Sequence, residues 1–192
     1  MNTALIVALT GTFIMSRAMA LDISVDNNAD CNSDAGTPFC TISDALVVAL
    51  PGDTITVAHG TYSDNVEVNV NNVNIIGIGV PTLTTSGSIA RGIVTINASG
   101  VKFEGFNVTG WTNGVVILGN NNTVVRNSVH NNGFIEIAVG DFSAEPVRVT
   151  GNTIAHNNVI GGQNGIAVNG DRNTIVSNST LSDRNTCVRS CR

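Results

Sequence analysis

The chain has 192 residues, of which 12% are charged and 4% aromatic, and its formal net charge is −5. That length gives one domain with enough apolar material for a core, and the composition excludes a helical bundle and a disordered chain. One lysine and a negative net charge exclude a phosphate-binding surface, so no nucleic-acid partner is expected.

Residues 1–20 read as an export signal. An apolar run at 4–15 is followed by Ala18-Met19-Ala20, a small-x-small pattern that precedes cleavage. There is no basic residue before Arg17, which departs from the usual pattern. The run is shorter than the roughly 20 apolar residues a membrane span requires, so no span is expected. The expected location is secreted, periplasmic or on the cell surface, and four cysteines fit such an oxidising destination. Of three connectivities, local pairing as Cys31–Cys40 and Cys187–Cys191 is the simplest. Around the first of these, Asp30, Asn32 and Asp34 stand at alternate positions, as oxygen ligands do in short Ca2+ loops. A closing bidentate glutamate is missing, and a disulfide-tied polar loop accounts for the pattern without metal. The expected cofactor set is therefore none, with Ca2+ as the alternative.

Residues 21–25 alternate as an edge strand does. Ile42, Ala45, Leu46 and Ala49 have helical spacing, Thr41 or Ser43 can cap the helix, and Pro51-Gly52 stops it. From Asp53 the apolar period becomes two, in runs of three to five residues separated by Gly or Asn. Residues 113–128 and 164–179 form an internal repeat 51 positions apart, identical at eight of sixteen positions. Self-similarity of this kind marks a stacked-repeat architecture. One apolar position per turn gives the series Ile55, Ile75, Phe103, Val124, Val149 and Ile175. The spacing is too short for propeller blades, and the leucine ladder of a leucine-rich repeat is missing. The expected fold is all-β, a right-handed parallel β-helix of about six coils, with strands stacked at about 4.8 Å. Asn127, Asn152 and Asn178 each stand three positions after a member of the series. They are expected to form a structural ladder, because Asn tolerates left-handed backbone angles and its amides bond from coil to coil. The chain divides into a signal at 1–20, a cap loop and capping helix at 21–52, the β-helix at 53–183 and a tail at 184–192.

Residues 40–68 resemble the amino-terminal cap of secreted right-handed parallel β-helix proteins of the pectate-lyase-like superfamily. Pro51-Gly52-Asp53, Gly60-Thr61-Tyr62 and the strand at 73–79 carry the resemblance, which extends over residues 21–183. It implies the fold and leaves the activity open, since this fold hosts lyases, hydrolases, esterases, epimerases and adhesins. A lyase of this kind needs carboxylates for Ca2+ and a basic residue, usually Arg, to abstract a proton beside a uronate carboxyl. Arg126 and Arg148 are the candidate bases, with Glu104, Glu136, Asp141 and Glu145 as carboxylates; the plainer reading of such side chains is solvated surface charge. His130-Asn131-Asn132 and His156-Asn157-Asn158 lie 26 apart, which would stack the two histidines one coil apart; turn-forming Asn with incidental His is the plainer reading. No complete catalytic set is recognisable.

The expected function is binding of a polysaccharide or cell-surface polymer along a flat flank of Thr, Asn and Gly. One alternative is a polysaccharide lyase or other carbohydrate-active enzyme. Another is a structural surface or adhesin module, with self-association through the C-terminal open end.

Overall fold

The computed structural model of the protein describes residues 19–28, 30–32, 38–85, 87, 91–142 and 146–181. Asp34, Glu145, Cys187, Cys191, the tail at 184–192 and the signal up to residue 18 lie outside the described residues.

Three parallel sheets wrap into a right-handed β-helix. Sheet I stacks Asp22–Val25, Thr54–Val57, Asn74–Gly77, Lys102–Glu104, Thr123–Val125, Thr153–Ala155 and Thr174–Val176. Sheet II stacks Thr61–Ser63, Thr82–Thr84, Asn107–Thr109, Ser128–His130, Asn158–Ile160 and Ser179–Leu181. Sheet III stacks Val66–Val68, Val94–Ile96, Asn113–Ile117, Ile135–Val139 and Asn164–Val168. Most strands of sheets I and II are three residues long, so only the middle side chain points inward. On sheet I the inward file is Ile23, Ile55, Ile75, Phe103, Val124, Ile154 and Ile175. All but Ile175 are buried, and each contributes about 1.5–3 kcal/mol of burial. The Phe103 and Phe106 rings stack with centroids 4.4 Å apart.

Here the expected series needs one correction. Ile154, and not Val149, occupies the fifth rung. Val149 pairs instead with Gly170 in a separate two-stranded sheet of Val149–Thr150 and Gly170–Asp171. The cause is the connection between sheets III and I, which after Val139 is long enough to carry that extra strand. Consequently, the 51-residue repeat spans two coils, from Asn113 through Ile135 to Asn164.

The corners follow one rule. A residue with left-handed backbone angles turns the chain, and the next residue points inward. Between sheets III and I the turning file is Asn72, Gly100, Asn121, Gly151 and Arg172, with φ from 55° to 72°. Between sheets I and II it is Gly105, Arg126, His156 and Ser177, and between II and III it is Gly110, Asn131 and Gly161. From the fourth coil the following residue is almost always Asn: 122, 127 and 132, then 152 and 157, then 173 and 178. Its Oδ1 accepts from the backbone N–H one coil below. Asn127 accepts from Phe106, Asn157 from Asn127, and Asn178 from Asn157. A second ladder runs Val101, Asn122, Asn152, Asn173. Asn152 is thus a ladder residue, but in a different ladder from Asn127 and Asn178.

Helix α1 (Ile42–Val48) covers the lower end and buries Ile42, Ala45 and Leu46. Thr41 is its N-cap, accepting from the Asp44 N–H. Ser43 does not cap the helix but anchors it, since its N–H and hydroxyl both donate to the Asp64 carboxylate. Asp53 accepts from the backbone N–H groups of Leu21 and Leu50, fastening the end of the cap to the first strand. Cys31 and Cys40 are disulfide-bonded, closing the cap loop.

Asn157 is central to its ladder and 1% exposed. Asn157→Ala strands the Asn127 N–H in the interior and is expected to cost about 2–4 kcal/mol. Exposed Asn158→Ala should cost about 0.5 kcal/mol or less. Urea unfolding of the two variants checks the contrast.

Candidate functional site

The titratable side chains read as candidates occupy separate places. Glu104, on the outer face of sheet I, takes both Lys102 and Arg126 at 2.5 Å. Arg126 is therefore an ion-paired guanidinium at a corner. Arg148 pairs with Asp171 at 3.0 Å. His130 lies beside Thr109 on sheet II and is in register with Ile160. His156 follows Ala155, which is in register with Val125, so it stacks over Arg126. The two histidines are not stacked, because the longer connection before the fifth coil shifts the register. Asp30 and Asn32 sit in the cap loop, where their N–H groups donate to the Asn28 side chain and the Pro38 carbonyl. Among the described residues, no three His, Cys, Asp or Glu side chains converge on a metal position.

Glu136 is fully buried, which the view of it as a surface charge did not anticipate. Its strand does not alternate at this point: Ile135 joins an outer apolar cluster, while Ile137 belongs to the main core. Asn132 donates to the carboxylate through both its backbone N–H and its side-chain amide. These are the two bonds that Asn127 makes to Asn157. At the third corner the residue above Asn132 is Gly162, which has no amide to offer. A Cβ there would lie 3.1 Å from Glu136 Oε1, so the carboxylate fills the place of the missing ladder residue. Both of its oxygens are thereby engaged by Asn132.

A concavity on the outer face of sheet III gathers chemistry. Val116, Ile135, Ala138 and Ala167 form an apolar cluster there, with Leu118 packed against it. The groove above it has a volume of about 460 Å³, with Val116, Ile135 and Ala138 as its floor. Phe134 and Phe142 line it, 43% and 45% exposed. Arg91 and Asp141 also line it, 50 positions apart in sequence, and their side chains meet at 2.8 Å. Each arm is held from behind. Asn113 donates to the Arg91 carbonyl, and Asn169 to that of Asp141. Gly140, at φ +92°, makes the turn that aims Asp141; a Cβ there would meet the Asn169 carbonyl at 2.3 Å. Of the expected catalytic candidates only Asp141 lines this groove. Arg91 and the two phenylalanines were not anticipated, and their one sequence signal is that both aromatics fall outside the alternation of the neighbouring strands.

A different surface fulfils the expectation of polar rows. Thr61, Thr82, Asn107, Ser128, Asn158 and Ser179 stand in register along the outside of sheet II. That face is flat.

The family described as the right-handed β-helix region matches residues 91–190, just over half of the chain. The chain belongs to this right-handed β-helix family. No curated protein matches it by sequence. Solved structures share its fold at low identity. An alginate lyase from Paenibacillus sp. str. FPU-7 is 17% identical, with a TM-score of 0.64 over 83% of this chain and 58% of that one. Pectate lyase Pel9A is 16% identical, with a TM-score of 0.66 over 84% of this chain and 48% of that one. A pectin methylesterase in complex with a hexasaccharide is 13% identical, with a TM-score of 0.54 over 88% and 68%. The β-helix chain thus spans about half the length of the two lyases. The pectate-lyase-like architecture read from the cap motifs is borne out.

Glu104 carries a pH signature. The hydrogen bond from Lys102 is the largest cause holding its carboxyl below the ordinary value; desolvation opposes it and the bond from Arg126 assists. The folded value being depressed, the stabilisation is complete above about pH 4.3 and disappears as pH falls through the lower folded value. Glu104→Gln should therefore be less stable than the parent at neutral pH and equal to it in acid. The neutral-pH difference is that of a surface ion pair, about 0.2–1 kcal/mol, read from urea midpoints across the acid limb. Glu136→Ala should cost more, about 2–4 kcal/mol, because Asn132 loses two acceptors in the interior; thermal melts would show it.

Proposed function

We propose that this β-helix protein binds a polysaccharide chain in the groove of sheet III. The observation that carries the reading is the groove's make-up: an apolar floor, two exposed phenylalanines and one hydrogen-bonding Arg–Asp pair. Binding sites for small polar organic molecules have this composition, mostly apolar surface with a few fixed polar groups. The flat rows of sheet II are a weaker basis. Each hydroxyl there exchanges one hydrogen bond to water for one to ligand, at little net gain, and a flat face excludes little water. The fold neighbours support a carbohydrate ligand, since their names are those of an alginate lyase, a pectate lyase and a pectin methylesterase with bound hexasaccharide.

The protein acts outside the reducing cytoplasm in this reading. The Cys31–Cys40 bond supports that, together with the signal pattern of residues 1–20. Among the described residues no helix is long and apolar enough to cross a membrane.

Catalysis is the second reading, favoured by the enzymes among the fold neighbours and by the carboxylate that lines the groove. Arg91 Nη1 already donates to Asp141, so the pair as it stands offers no free base to the groove. Ultraviolet detection of unsaturated uronate, release of reducing ends and release of methanol, measured on pectins and alginates, separate the enzymatic reading from simple binding.

The test of the main reading is retardation of the full chain in gels containing soluble glycans, together with pull-down on insoluble ones. At least one glycan should retard the protein, and Phe134→Ala should reduce the retardation by about tenfold in affinity. If no glycan in a broad panel retards it, the reading fails.

A further inference from the structure

The groove's charge and shape point to the class of glycan it takes. We infer that it selects an uncharged polysaccharide built of pyranose rings over a uronate polymer, an inference that rests on the groove being a glycan site. Among the described residues, Arg91 and Asp141 are the charged side chains lining the groove, and at 2.8 Å each cancels the other. Neither leaves an uncompensated cation there for a sugar carboxylate. A uronate entering beside Arg91 meets the Asp141 carboxylate, and it gains the guanidinium only by displacing a partner of the same charge and chemistry. The field of the whole chain acts the same way, since a net charge of −5 repels a polyanion before contact.

The remaining surface fits a neutral ring. A pyranose has one face of axial C–H groups and an equator of hydroxyls. The π-face of a phenyl ring is its negative side, so it attracts C–H hydrogens and disfavours a carboxylate. Phe134 and Phe142 present such rings, nearly half exposed, above a floor of Val116 and Ala138. The Arg–Asp pair then reads neighbouring hydroxyls. Arg91 uses Nη1 toward Asp141 and has further N–H donors for a hydroxyl oxygen, while carboxylate oxygens accept from a hydroxyl hydrogen. Asn113 and Asn169 fix the backbone at Arg91 and Asp141, and the two side chains already hold one another, which lowers the ordering cost of binding.

The experiment measures affinities of the full chain for two neutral polymers, a β-glucan and a galactomannan, and two uronate polymers, polygalacturonate and alginate, at low and high salt. A neutral polymer should bind tighter than either uronate by about tenfold or more, and its affinity should be insensitive to salt. Phe134→Ala and Phe142→Ala should each weaken it by about tenfold, while Asn158→Ala on sheet II leaves it unchanged. Asp141→Asn keeps the side chain's shape and frees the Arg91 charge. It should shift the preference toward uronates by about tenfold, with a new salt dependence. If uronates bind the parent as tightly as the neutral polymers, with affinity falling as salt rises, the inference is overturned and the glycan reading stands. If Asp141→Asn leaves the preference unmoved, the pair is not the selector and the inference is likewise overturned. Should none of the four polymers nor a wider panel bind, the glycan reading itself falls and takes the inference with it.

Discussion

Every coil of this solenoid must satisfy the backbone of the coil beneath it, and the corners are where regular strand pairing cannot do so. The protein meets that constraint by following a left-handed residue with an inward asparagine, whose carbonyl takes the orphaned N–H one level down. The strand between two such corners has room for three residues. That is why the asparagines fall five apart at 122, 127 and 132 and why each three-residue strand of sheets I and II turns a single side chain to the core. From the fourth coil upward, register and outward files follow from this bonding.

Glu136 shows how strict the constraint is. Where Gly162 leaves the third ladder without an amide, a carboxylate from the following strand turns back to accept the same pair of bonds. Burying an acid is costly, and it is tolerated here because both of its oxygens are bonded. A buried acidic side chain in an enzyme-rich fold invites a catalytic reading. Its bonds from Asn132 set it within the ladder at the third corner.

The fold was legible from alternation, from the repeat and from the cap motifs, because each is a local pattern with a local cause. The register was less so. Val149 and Ile154 are both β-branched residues followed within a few positions by Asn, and composition alone cannot say which one an inserted strand has displaced. The same slip placed His130 and His156 in one file when the coil brings His156 over Arg126 and His130 under Ile160. The five-residue spacing of the asparagines is the signal that aligns Asn157 with Asn127 and fixes both registers. The groove was out of reach for a different reason. Arg91 and Asp141 are 50 positions apart, in segments with no shared motif, and only the winding of two coils brings them together.

The corner between sheets I and II is two residues long in each of the last four coils, whereas the connections on either side of sheet III vary from a few residues to more than ten. Differences in coil length are therefore largest along two of the prism's three edges, and both of those edges border the same facet. The edge opposite that facet, uniform in its last four coils, keeps the winding in phase while the neighbouring edges absorb the differences in coil length.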